Sequence, residues 1–263
     1  MKITNEKFFV LITYDLLLKN KDLVLKSRIN CSVYLNSHNV LDMYSKKDFI
    51  RIRKFFDDNG LLKIVHGPFL DLNPGSVDRK IREASLERFI QALKAARILG
   101  SQHIVFHSGF RPDPYKKYKA EWLKNSLNVW GKFIKLAEKE KINVVIENTF
   151  EKTPELLVEL VRKIDSRNFK ICFDGGHFNS FAKIDPLKAF DMIPPRMIGE
   201  IHLSDNDGSD DQHLALGEGN IDIDAIFKRV EKLRIDPVIT IEPNDMIGAE
   251  KDLAYLEKKG YIQ

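Results

Sequence analysis

Eight short apolar runs recur along the chain, at residues 8–14, 29–35, 61–65, 103–106, 142–146, 169–173, 197–201 and 237–241. Runs of this length, rich in Val, Ile and Phe and without a polar face, predict strands buried on both sides, as in a parallel sheet. Between them the apolar period changes to three and four. In residues 77–99, Ile81, Ala84, Ser85, Leu86, Phe89, Ile90, Leu93, Ala96 and Ile98 crowd one side, and Gly100 follows as a C-terminal cap. Residues 122–140 repeat the pattern with Leu123, Leu127, Trp130, Phe133, Ile134 and Ala137. Thr153-Pro154-Glu155 reads as a further helix start, with threonine capping and proline in the first turn. Helices are also predicted over 185–192, 222–233 and 249–259.

Strand and helix thus alternate about eight times, which predicts a parallel α/β architecture. The length of 263 residues is close to the roughly 250 of a (β/α)8 TIM barrel, so one domain over residues 1–263 is expected. A doubly wound open sheet is the alternative. It would not gather six consecutive strand ends around one centre, and six of these runs end in residues that bind metals.

Those residues are His66, His107, Glu147, Asp174, His202 and Glu242. Parallel strands place them at one mouth, and nitrogen and carboxylate ligands without thiolates suit zinc, manganese or iron. His177, three residues after Asp174, and the Asp211-x-His213 pair add loop candidates. One strand-end histidine alone is more often structural. Here five of the seven histidines fall on one rim, and the joint placement carries the argument.

Composition narrows the partners. Lys and Arg total 42 against 38 Asp and Glu, a net charge of +4, without the strong basic footprint of a dedicated nucleic-acid binder. Cys31 and Cys172 lie in strand-like runs without metal-type spacing and read as buried thiols of a reducing, cytoplasmic setting. No signal-peptide pattern opens the chain, and no apolar run reaches the ~18 residues of a span, so no membrane partner is expected.

The segments His66-Gly67-Pro68-Phe69-Leu70, His107-Ser108-Gly109, Glu147-Asn148 and Asp174-Gly175-Gly176-His177 carry a resemblance. It extends through His202-Leu203-Ser204-Asp205-Asn206, Asp211-Gln212-His213, Gly217-Glu218-Gly219-Asn220-Ile221 and Ile241-Glu242-Pro243. Over residues 66–242 the chain resembles the xylose isomerase-like TIM barrels, the AP endonuclease family 2 superfamily of endonuclease IV and many sugar isomerases and epimerases. The resemblance implies up to three ions, zinc first and manganese, iron or cobalt as alternatives. His66, His107 and Glu147 would hold one. Glu147, Asp174, His202 and Glu242 would hold a second with Glu147 bridging, and His177, Asp211 and His213 a third. The isomerase branches typically keep one metal, on the Glu147, Asp174, His202 and Glu242 set.

With all nine positions filled, the expected activity is hydrolysis of a phosphodiester. Glu147 would bridge and Glu242 would orient or deprotonate the attacking water. The alternative is a divalent-metal-dependent sugar or sugar-phosphate isomerase or epimerase, with Glu147 and Glu242 moving a proton and His177 binding a hydroxyl. An abasic-site DNA endonuclease is a second alternative, and a scaffold without chemistry a third. DNA is possible but disfavoured, because the loop at Asn36-Ser37-His38-Asn39 is short and lacks arginine. A small phosphorylated molecule is the expected partner, met by Arg111 or Lys116 and by Phe69. Asn148 and Asp205 are expected to hold ligand imidazoles or carboxylates in position. Gly217-Glu218-Gly219 is a weak phosphate-loop candidate.

Overall fold

The computed structural model describes residues 4–35 and 40–262, so the loop at residues 36–39 discussed above lies outside the described residues. Eight parallel strands close into one barrel in chain order. They are β1 (Phe8–Thr13), β2 (Cys31–Tyr34), β3 (Lys63–His66), β4 (His103–His107), β5 (Asn143–Glu147), β6 (Phe169–Asp174), β7 (Ile198–Leu203) and β8 (Val238–Ile241). Helices surround it. The single-domain TIM barrel is what alternating strand and helix patterns demand, since each strand's second face must be covered by a helix.

Helix boundaries follow local capping chemistry. Asp78, Asp185, Asp222 and Asp245 each accept a backbone N–H of the first turn, opening helices Arg79–Leu99, Pro186–Asp191, Ile223–Leu233 and Met246–Lys259. The Asp245 cap starts the last helix three residues before the predicted 249. Near Thr153 the start also moves. The helix runs Glu155–Ile164 with Pro154 as its cap, because the Thr153 hydroxyl donates to the Glu155 carboxylate at 3.2 Å instead of capping. Gly100 ends the long helix at φ +75°, a backbone conformation that glycine adopts without a Cβ penalty.

Side chains alternate along the strands. On β4, Phe106 points outward into a cluster with Phe89, Trp130 and Phe133, whose ring centroids lie 4.7–5.9 Å apart. Val105, Val145 and Cys172 form a separate buried cluster that faces the barrel axis. This alternation sends His107, Glu147 and Asp174 inward at the strand ends. His202 falls one residue before the end of β7, and Glu242 one residue beyond β8.

Candidate metal centre

The ligand atoms of Glu147, Asp174, His202 and Glu242 all lie within 4.8 Å of one another, and all four residues are buried. His66 joins Glu147 and His202 in a second such group. The geometry follows from register. Asp174 pairs with His202 across β6 and β7, and His107 pairs with Glu147 across β4 and β5. His202 Nδ1 stands 3.0 Å from Glu242 Oε1, 3.4 Å from Glu147 Oε2 and 4.0 Å from Asp174 Oδ2. Yet His202 Nδ1 and Asp174 Oδ2 have no hydrogen-bond partner among the described residues. Buried polar atoms are almost always satisfied. Two orphans aimed at the same point, beside two further carboxylates, fit a divalent cation.

The electrostatics of the metal-free cluster agree. Burial raises Glu147, but the charges of His107 and His202 and bonds from His107 and His177 outweigh it and hold the carboxyl well below its usual range. Asp174 is pushed up to about 7, first by burial and then by the neighbouring Glu147, Glu242 and Asp211 charges. Burial opposes charge on His202, and its acidic surroundings reverse that and raise it. Crowded carboxylates that resist joint ionisation are what a cation relieves.

The outer candidates behave differently. Asp211 Oδ2 is shared by His177 Nε2 at 3.3 Å and His213 Nε2 at 3.2 Å. His213 adopts φ +46°, a strained conformation for histidine, and donates Nδ1–H to the Glu242 carbonyl at 2.7 Å. His177, Asp211 and His213 form no group in common reach among the described residues, nor do His66, His107 and Glu147. Among the described residues the four-residue inner group is the largest that shares common reach, and His107 touches it through Glu147 Oε2 at 3.1 Å.

Beside this centre lies a cavity of about 440 Å³ whose lining includes His107, His177, Asp211, Phe69 and Arg111. Phe69 stacks on the His107 ring at 3.9 Å, nearly parallel, so it braces that imidazole as well as lining the cavity. The Arg111 guanidinium lies over the Phe150 ring at 5.0 Å. Lys116 lines a neighbouring cavity of about 210 Å³ instead. Asn148 Oδ1 and Nδ2 pair with the backbone of Asp174, each at 2.9 Å. Among the described residues Asp205 bonds none of the candidate ligands. Its carboxylate accepts the backbone N–H groups of Asn206, Gly217, Gly219 and Ile221 at 2.9–3.1 Å, which also occupies the N–H groups a phosphate would need at Gly217 and Gly219.

Sequence reasoning missed Glu200, which sits two residues before His202 on the same face of β7, and His103, which meets it from β4. The period of two could have flagged both. Thr149 was also missed; its hydroxyl lies 2.9 Å from His107 Nδ1.

A family model described as xylose isomerase-like TIM barrel matches residues 33–259. An uncharacterised protein of Methanocaldococcus jannaschii is 34% identical over 203 residues, 74% of this chain and 69% of that protein. A crystallised D-tagatose 3-epimerase-like protein is 28% identical, with a TM-score of 0.82 over 98% of this chain and 96% of its own. A Thermus thermophilus protein soaked with zinc chloride superposes with a TM-score of 0.82 at 24% identity, covering 96% and 97% of the two chains. At that identity the likeness shows the fold. A probable endonuclease 4 of Alkaliphilus oremlandii is 27% identical over 234 residues, 81% of each chain.

The expected phosphodiester hydrolase is overturned by the D-tagatose 3-epimerase-like structure, which matches nearly the whole chain at 28% identity. A D-psicose 3-epimerase, an L-ribulose 3-epimerase and a 3-keto-D-glucoside 4-epimerase also superpose, at 16–18% identity, and show the fold alone. The physical reason lies in the outer residues. Although all nine positions are filled by residue type, His177, Asp211 and His213 fall outside the groups of common reach among the described residues, while Glu147, Asp174, His202 and Glu242 form one. No helix among the described residues is long and apolar enough to cross a membrane.

Proposed function

The chain belongs to the xylose isomerase-like TIM barrel family, and we propose that it is a divalent-metal-dependent sugar epimerase or isomerase. The observation that carries this reading is the Glu147, Asp174, His202 and Glu242 group, with its unpartnered nitrogen and oxygen, beside a cavity sized for a small polyol that His107 and His177 line. These four residues would hold the ion. When bound, the ion polarises a substrate carbonyl and the neighbouring hydroxyl, making the C–H between them acidic. Three carboxylates and one imidazole suit manganese or cobalt as well as zinc.

The chain's own residues do the rest. Glu147 and Glu242 flank the centre as the pair of carboxylates that remove a proton from the carbon and return it. His177, 7% exposed through its side chain and facing the cavity, donates to a substrate hydroxyl. Arg111 at the cavity wall meets an anionic substituent, so a sugar phosphate is the preferred substrate.

The test is conversion of a panel of ketoses, aldoses and their phosphates by chelated protein reloaded with manganese, cobalt or zinc. Epimerisation or aldose–ketose conversion that depends on the added metal is expected, with deuterium from solvent water entering the product at the reacting carbon. A folded, metal-loaded protein silent on the whole panel would sink the proposal.

A further inference from the structure

Below the candidate metal centre, the barrel interior holds a carboxylate that the proposed reaction does not use. Glu200 is fully buried on β7, on the axis side of the barrel where Val105, Val145 and Cys172 form an apolar cluster. A charge there is costly unless it is paired and hydrogen-bonded. It is both. Glu200 Oε2 meets His103 Nε2 at 2.5 Å, while Oε1 accepts the Thr240 hydroxyl at 2.5 Å and faces His202 Nε2 at 3.2 Å. The β6–β7 register shifts between the Ile171–Ile198 and Cys172–Glu200 pairs, leaving Gly199 as the extra residue of β7. A Cβ on Gly199 would come 2.9 Å from Val145 Cγ1 and from Lys170 Cβ, so the irregularity requires glycine. The shift sets Glu200 opposite Cys172 and, two residues on, His202 opposite Asp174.

We infer that Glu200 is a positioning residue for the metal centre: by engaging His202 Nε2 it fixes the ring and assigns metal binding to Nδ1. The inference rests on the metal-dependent reading above. A neutral imidazole carries one N–H and one lone pair, and the partner of one nitrogen decides the role of the other. Glu200 Oε1 accepts a hydrogen bond from His202 Nε2–H. The lone pair is then left on Nδ1, the nitrogen that stands unpartnered among the carboxylates of Glu147, Asp174 and Glu242. The opposite assignment would use Nε2 with Cys172 and Glu200, whose ligand atoms also lie within 4.8 Å. It is disfavoured because the Glu200 oxygens are already committed to His103 and Thr240. A carboxylate behind a ligating imidazole also makes the ring a stronger donor.

The experiment compares wild type with Glu200→Gln and Thr240→Val, using zinc alone as the probe. Zinc affinity is read by competition with a chromophoric chelator, and the imidazole nitrogens of the zinc-loaded protein by long-range 1H–15N spectra. In wild type, His202 is expected to show a slowly exchanging Nε2 proton and a zinc-shifted Nδ1. Glu200→Gln should bind zinc about 10- to 100-fold more weakly and move that proton resonance. Thr240→Val, which perturbs the same oxygen without touching His202, should stay within about threefold of wild type. Equal losses in the two variants would mean a merely structural network and overturn the inference, as would zinc on Nε2. Should Glu200→Gln fail to fold, the wild-type spectrum decides alone. A wild type that binds no divalent cation would remove the functional reading together with this one, whereas an unaffected Glu200→Gln would remove this one only.

Discussion

Two sets of imidazoles and carboxylates share the rim of this barrel, and they are built for different work. In the inner set, Glu147, Asp174, His202 and Glu242 crowd within 4.8 Å and leave buried atoms without partners. In the outer set, Asp211 Oδ2 is clamped between the His177 and His213 rings, whose Nδ1 atoms meet the Asn148 and Glu242 carbonyls. Asp211 Oδ1 is the one atom of the set among the described residues that is buried without a partner. The inner residues come from strand ends, where register spaces them rigidly. The outer ones come from loops, above all the loop after β7, which is organised by Asp205 and by the Asp252 bond to the Leu216 N–H. Residue type alone does not make a cation site; the decisive property is lone pairs left unspent at a common point.

The contrast breaks most visibly at Glu147. Glu147→Gln should lower turnover by about 10³-fold and weaken metal binding, because it removes a ligand and a proton-transfer group together; steady-state kinetics and metal titration check this, and near-normal turnover would dissolve the distinction. Metal removal comes next. Chelated protein returned to about 100 times the dissociation constant of its metal should gain about 2.7 kcal/mol of stability, visible as a melting rise of several degrees. A Glu242→Gln variant should show much less of that gain.

On the outer side the effects shrink. Asp252 is pushed up to about 6 by burial and by the Glu218 and Asp205 charges, against an ordinary value of 3.8. The folded state therefore holds this proton more tightly than the unfolded chain does. Its stabilising contribution is complete below about pH 4 and is lost as pH rises through about 6. Asp252→Asn keeps the acceptor for Leu216 and should stabilise the protein at pH 7 by about 1–2 kcal/mol while flattening the melting profile between pH 4 and 6. Asp211→Asn should cost about tenfold or less in metal affinity, acting mostly on KM through the cavity wall it forms with His177. A loss there as deep as at Glu147 would show that the outer set binds the ion after all.

Part of this was legible from the chain. Apolar runs that end in His66, His107, Glu147 and Asp174 announce parallel strands delivering ligands to one face, because a strand's period of two and a barrel's common direction leave few other outcomes. The helix starts at Asp78, Asp185 and Asp222 were legible to within two residues for the same local reason. The reading as a hydrolase failed because it counted residue types, and residue type does not tell which chemistry a metal site supports; the D-tagatose 3-epimerase-like relative points to the other one.

What the sequence determined by itself was the barrel, its single direction and the six strand-end residues, since these depend on periodicity and short-range capping. Only the tertiary structure decided which atoms were left without partners. It paired Glu200 with His103 across 97 positions of chain, turned His213 into a left-handed backbone conformation and filled Asp205 with loop N–H groups. Such choices depend on distances of a few tenths of an ångström between segments far apart in the chain. Hydrogen bonds discriminate on that scale, whereas patterns of apolar and polar residues do not.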